Sequence, residues 1–235
     1  MTVQALFNFY VQSPHGTWIM ELPNAVQLYE FVKTHPIKKV LDLGLGVGLS
    51  ASVVALAFQD KGEKGHIDSV EQFDKCIKLA KEMIPKELQE NLTIHKSEVE
   101  WKKFESIPYQ YFSCYKTIPD GDYDLIINDG PAMDKEKVGD KEFFIDLPNG
   151  TITQMLLDGK IKPGTSIVFD GRIQALKILE RFYGDNFYIS QIAPKGNDFN
   201  VIERKDNEVS YGDITLERME SLGYFKDETK TSQTT

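Results

Sequence analysis

Five carboxylates, Asp42, Glu71, Glu98, Asp129 and Asp170, fall at or just beyond the carboxyl ends of runs that read as β-strands. In an open α/β sheet, ligands bind along that rim. Five acidic groups there are hard to explain by folding alone. Three glycines, Gly44, Gly46 and Gly48, follow the first strand directly and precede a helix starting near Ser50. Glycines without β-carbons let a backbone turn tightly and approach a ligand closely. Together these residues describe a site for a nucleotide-like cofactor. A carboxylate at the tip of the second strand, Glu71, is placed to accept hydrogen bonds from both hydroxyls of a ribose, a charge-assisted and geometrically demanding contact. The spacing G-x-G-x-G, with Leu49 where a dinucleotide fingerprint has its third glycine, disfavours NAD.

The elements that position these groups alternate. A helix over about 23–35, with Asn24 as its cap, precedes strand one at Val40, Leu41 and Leu43; a helix to about Gln59 follows, then a strand through Ile67 and Val70 to Glu71. Ile77, Leu79, Ala80 and Met83 mark another helix, Leu92 and Ile94 a third strand, and 123–130 a fourth, which Pro131 stops. A helix around 152–157 leads through Lys162, Pro163 and Gly164 to a fifth strand over 166–170, and 174–182 is again helical. Two runs, 187–192 and 199–203, joined by a turn at 194–197, read as a hairpin. Alternation of this kind, with right-handed crossovers, predicts a doubly wound, mostly parallel Rossmann-like sheet with helices on both faces and a C-terminal antiparallel hairpin. The 235 residues, 41% hydrophobic, suit one domain over 1–225, with an N-terminal cap segment over 1–37 and a core over 38–204. The polar stretch 226–235 is expected to be disordered.

A formal charge of −9 gives no general attraction to nucleic acid or to anionic lipid. Cys76 and Cys114 are too few for a disulfide framework and belong to no zinc spacing, which suits a reducing, cytoplasmic setting. No apolar run approaches a membrane span, and no signal peptide is expected.

The ordered set Val40, Leu41, Asp42, Leu43, Gly44, Gly46, Gly48, then Glu71, then Asn128, Asp129, Gly130, Pro131, then Lys162, Pro163, Gly164 resembles the class I S-adenosylmethionine (SAM)-dependent methyltransferases. Within them it is similar to the branch of small-molecule O-methyltransferases. That resemblance implies a seven-stranded sheet with its seventh strand inserted antiparallel. It also implies SAM lying over the glycine loop with its ribose on Glu71, Asp42 near the methionyl amine, and an acceptor for the adenine amino group at Ser97 or Glu98. Phe73 is placed to cover the adenine, and Trp101 to line that end of the pocket. Alternative readings are a cap role for Asp42, plain packing for Phe73 and Trp101, and a structural ion pair between Arg172 and an aspartate. Asp129 emerges beside the methyl donor and is the first candidate to take the acceptor's proton; Asp170 lies at the next strand end, and His15 lies in a segment that in such enzymes often folds over the site. Asp129 and Asp170 together raise the possibility of Mg²⁺. The charged insert 133–142 reads as a substrate lid or a solvated loop, and Tyr109 to Tyr115 partly as an edge strand. The expected activity is methyl transfer from SAM to a small-molecule hydroxyl, with an aminopropyltransferase-like enzyme or a noncatalytic SAM-binding protein as alternatives.

Overall fold

A computed structural model of the chain describes residues 1–15, 19–131, 134–138, 141–145, 147–190 and 199–210, with the backbone alone over 134–138, 141–145 and at 190. In chain order the elements are α1 (Val3–Gln12), α2 (Leu22–Thr34), β1 (Lys39–Leu43), α3 (Leu49–Lys61), β2 (His66–Glu71), α4 (Asp74–Met83), β3 (Leu92–Lys96), β4 (Val99–Phe104) and β5 (Ile107–Tyr115). There follow β6 (Leu125–Asn128), β7 (Asp134–Val138), β8 (Lys141–Ile145), α5 (Thr151–Leu157), β9 (Ser166–Asp170), α6 (Ile173–Tyr183), β10 (Phe187–Ser190) and β11 (Phe199–Arg204).

Seven strands form one sheet in the order β10-β11-β9-β6-β1-β2-β3. The pairs β1–β2, β2–β3, β1–β6 and β6–β9 are parallel, and β11 runs antiparallel to both β9 and β10. The doubly wound sheet and its antiparallel seventh strand are therefore present as expected. The 194–197 turn and the tail from 226 lie outside the described residues.

Period-two alternation divides the core between the two faces of the sheet. Val40, Leu125, Ile127 and Val168 pack under α1 to α4, whereas Leu41, Leu43, Ile126 and Phe169 pack against α5, α6 and the β4–β5 hairpin. This parity decides where the polar strand residues point. Asp42 and Asp170 share the face of Val40 and Val168, and Asn128 shares that of Ile126.

Three local readings change. Helix α1 was not anticipated, yet Val3, Leu6 and Tyr10 are buried on one side of it. It helps to cover α3, whose residues Leu49 to Phe58 are all buried. Asn24 is not the cap of α2: the helix begins two residues earlier, with Pro23 in its first turn, where a missing N–H costs nothing. Residues 99–115 make a separate two-stranded antiparallel sheet, and the insert after β6 makes another from β7 and β8.

Candidate active site

The loop between β1 and α3 is left-handed at all three glycines, with φ of 105° at Gly44, 53° at Gly46 and 98° at Gly48. A β-carbon on Gly44 would lie 2.6 Å from the Gly130 nitrogen, and one on Gly48 2.6 Å from Cγ1 of Ile84. Two of the glycines are thus required by close packing of the protein itself, against the loop after β6 and the end of α4. Gly44→Ala is expected to destabilise the fold by about 2 kcal/mol or more, because it combines backbone strain with a backbone clash. Urea unfolding of the variant measures this, and unchanged stability would contradict the packing at Gly130.

Glu71 ties the loop to the tip of β2. Gly46 donates its N–H to Oε2 at 2.9 Å, and Gln72 and Phe73 donate theirs to Oε1 at 2.8 and 2.9 Å. The side chain is buried, which pushes its pKa up, and the three backbone N–H groups oppose that rise. A carboxylate offers about four lone-pair sites, so capacity remains for a hydroxyl donor. Phe73 precedes α4 and is 36% exposed.

Asp42 lies one layer deeper. It is fully enclosed, accepting from the Ser50 hydroxyl at 3.1 Å and from the Ser69 hydroxyl at 2.9 Å. Burial pushes its pKa up to about 6 against those two bonds. Its carboxylate braces α3 against β2 beneath the loop.

Beyond β3 the candidates diverge. The Ser97 hydroxyl accepts from the Thr117 N–H at 2.9 Å and donates to the Glu98 carbonyl at 3.0 Å, while the Ser97 N–H donates to the Glu71 carbonyl. Glu98 turns outward to Lys116 at 2.8 Å, with 75% of its side chain exposed. Trp101 is an exposed residue of β4. His15 is exposed in the turn after α1, where its N–H donates to the Ser13 hydroxyl. No described bond joins its side chain to the rim.

At the ends of β6 and β9, Asp129 and Asp170 have partners from different elements. Arg172 donates from Nε and Nη2 to the Asp129 carbonyl, and its Nη2 lies 3.3 Å from Oδ1 of the same residue. The ion pair weighed as a structural alternative is therefore present. Burial pushes the Asp129 carboxyl up to about 8; the Arg172 charge opposes this, and Asp170 and Asp42 add to it. Asn24, from α2, donates to Oδ1 of Asp170 at 2.6 Å. The cluster was invisible to periodicity because Arg172 and Asn24 are 148 positions apart in the chain and meet only through the sheet. The Mg²⁺ expectation does not fit these partners. Arg172 already stands 3.3 Å from the Asp129 carboxyl, Asn24 holds Asp170, and among the described residues no three His, Cys, Asp or Glu side chains are grouped to hold a metal. Asp146 lies outside the described residues.

Two further networks had no sequence signal beyond apolar spacing in α1. Tyr10, fully buried, donates to the Gly48 carbonyl at 3.1 Å and lies 2.8 Å from the Ser52 hydroxyl, locking the end of the glycine loop. Asn149 donates to Oδ1 of Asn128 at 2.8 Å and to the Gly130 carbonyl, and accepts from the Thr151 N–H, fixing the loop after β6.

Comparison with solved structures decides the fold. SAH-bound methyltransferase PaMTH1 from Podospora anserina superposes with a TM-score of 0.58 at 15% identity, over 87% of this chain and 88% of that one. The chain therefore has the fold of class I SAM-dependent methyltransferases. The same methyltransferase fold is shared with the SAH complex of an O-methyltransferase from Bacillus cereus, at a TM-score of 0.53 and 13% identity, over 87% of this chain and 90% of that one. The O-methyltransferase TomG from Streptomyces achromogenes, involved in tomaymycin synthesis and solved with SAM, gives 0.54 at 11% identity, over 86% and 89%. A family model for protein-L-isoaspartate(D-aspartate) O-methyltransferase matches residues 15–120. That stretch carries the glycine loop, Glu71 and Ser97, and stops before Asp129, Asp170 and Arg172. No curated protein sequence matches the chain. Among the described residues, no helix of this methyltransferase fold is long and apolar enough to cross a membrane.

Proposed function

We propose that the protein transfers the methyl group of SAM to a hydroxyl of a small-molecule acceptor. The observation that carries this reading is Glu71, a buried carboxylate at the tip of β2 bonded directly to the N–H of Gly46 in the cofactor loop of a methyltransferase fold. The residues fit the cofactor: Glu71 would accept from a ribose hydroxyl, the left-handed loop from Gly44 to Gly48 would lie under the methionyl part, and Phe73 would flank the adenine. When bound, SAM supplies a methyl group on a positively charged sulfur.

The chain's own work is to bind, align and move one proton. Displacement at an activated methyl depends on alignment and exclusion of water, and the protein forms no covalent bond with the acceptor. Asp129 takes the acceptor's proton. A carboxyl raised to about 8 is a stronger base once ionised than an ordinary aspartate, closer to the hydroxyl it must deprotonate. Arg172 positions it, gripping its carbonyl and standing beside its carboxylate. Asp170, held by Asn24, raises the Asp129 pKa further by its charge.

The test is incubation with SAM labelled in the methyl group against a panel of hydroxylated small molecules and an isoaspartyl peptide. Label in a small molecule supports the reading, and label in the peptide alone would replace it. Failure to bind S-adenosylhomocysteine would overturn the cofactor assignment.

A further inference from the structure

One buried polar group at the cleft has no role in the scheme above. Tyr115 ends β5, 1% exposed, with its ring in the core shared by Leu41, Leu43 and Phe169. Its N–H donates to the Thr151 hydroxyl at the start of α5, which fixes the strand end. Its hydroxyl reaches the place where two loops of the site meet. A methyl group on Gly130 would lie 2.5 Å from the Tyr115 oxygen and 2.7 Å from Cα of Gly44. Glu71, Asp42 and Asp129 all act on this phenol, and together with its burial they hold its pKa well above the usual tyrosine range. It is a permanent neutral donor. Among the described residues no side chain is seen to bond that hydroxyl.

The loop's own donors are mostly engaged. Gly44 and Leu45 donate their N–H groups to the Val70 carbonyl, Gly48 donates to Leu45, and Gly46 donates to Glu71. The nearby side-chain charges are mainly carboxylates, and the methionyl end of the cofactor brings one more. A neutral donor beside Gly130 and Gly44 would relieve that repulsion. We infer that the Tyr115 hydroxyl is a cofactor-binding group that donates to the methionyl carboxylate. The inference rests on the SAM reading of the cleft.

The experiment compares two ligands on two proteins by calorimetry: S-adenosylhomocysteine and its analogue lacking the carboxylate, on wild type and Tyr115→Phe. Loss of a hydrogen bond to a charged group should weaken S-adenosylhomocysteine on the order of tenfold or more, and leave the decarboxylated analogue unchanged. Tyr115→Met, which fills the space without a hydroxyl, should show the same selectivity if the Phe variant folds poorly. Equal weakening of both ligands would overturn the inference, since a merely structural tyrosine would affect both alike, and so would no weakening of either. If wild type binds neither ligand, the cofactor reading itself has failed.

Discussion

Glu71→Ala is expected to weaken SAM and S-adenosylhomocysteine binding on the order of ten- to a hundredfold. One charge-assisted hydrogen bond from a ribose hydroxyl would be lost, worth about 1.5–3 kcal/mol. The variant also frees the N–H groups of Gly46, Gln72 and Phe73, so the loop loses its tie to β2 as well as its ribose acceptor. Glu71→Gln separates these contributions. It keeps the size and one carbonyl oxygen to hold the loop, so the loop should stay ordered while affinity falls by less. Calorimetric titration of both variants, with thermal melting to confirm the fold, measures the effect. Unchanged affinity in Glu71→Ala would remove this residue from the cofactor site.

Asp129→Asn is expected to lower kcat by about 10²–10⁴, the usual range for removal of a general base, with little change in the affinity for S-adenosylhomocysteine. The amide retains the shape and can still face Arg172, but takes no proton. The pH profile gives the sharper check. The carboxyl is raised to about 8, so near neutral pH most of it is protonated and inactive as a base. As the pH rises through about 8 the proton leaves, and kcat/KM for the acceptor should rise with it to a plateau. In Asp129→Asn that rise should vanish, leaving a flat, low profile in the same window. A variant with wild-type kcat, or a wild-type profile flat from pH 6 to 9, would take Asp129 out of proton transfer.

Much of the scaffold was legible in the chain because local rules decide it. Apolar runs such as Leu125, Ile126 and Ile127, bounded by breakers, can only be buried strands when helices alternate with them, and their order implies the doubly wound sheet. The glycine loop and Glu71 were legible for the same reason. A left-handed turn needs glycine, and a carboxylate ending a buried strand lands on the rim. Even there, only the structure revealed that Gly44 and Gly48 answer to Gly130 and Ile84. The alternation of β1 sets the face of Asp42, but its seal by Ser50 and Ser69 depends on the packing of α3 and β2.

What the tertiary structure alone decided is the pairing at the ends of β6 and β9. Arg172 on Asp129, Asn24 on Asp170 and the Tyr115 hydroxyl against Gly130 join segments far apart in sequence. No periodicity encodes such contacts, because they follow from strand order and from where each helix and hairpin crosses the sheet. The same holds for Glu98. A strand-end carboxylate reads alike whether it faces the cleft or the solvent, and here Lys116, on the segment leaving the β4–β5 hairpin, draws it outward. The sequence by itself determined the sheet, the glycine loop and the acidic rim, since burial and backbone sterics are local. Which of those acids carries a raised pKa, and beside which cation, was set by three-dimensional proximity, since desolvation and Coulomb interaction depend on distance through space.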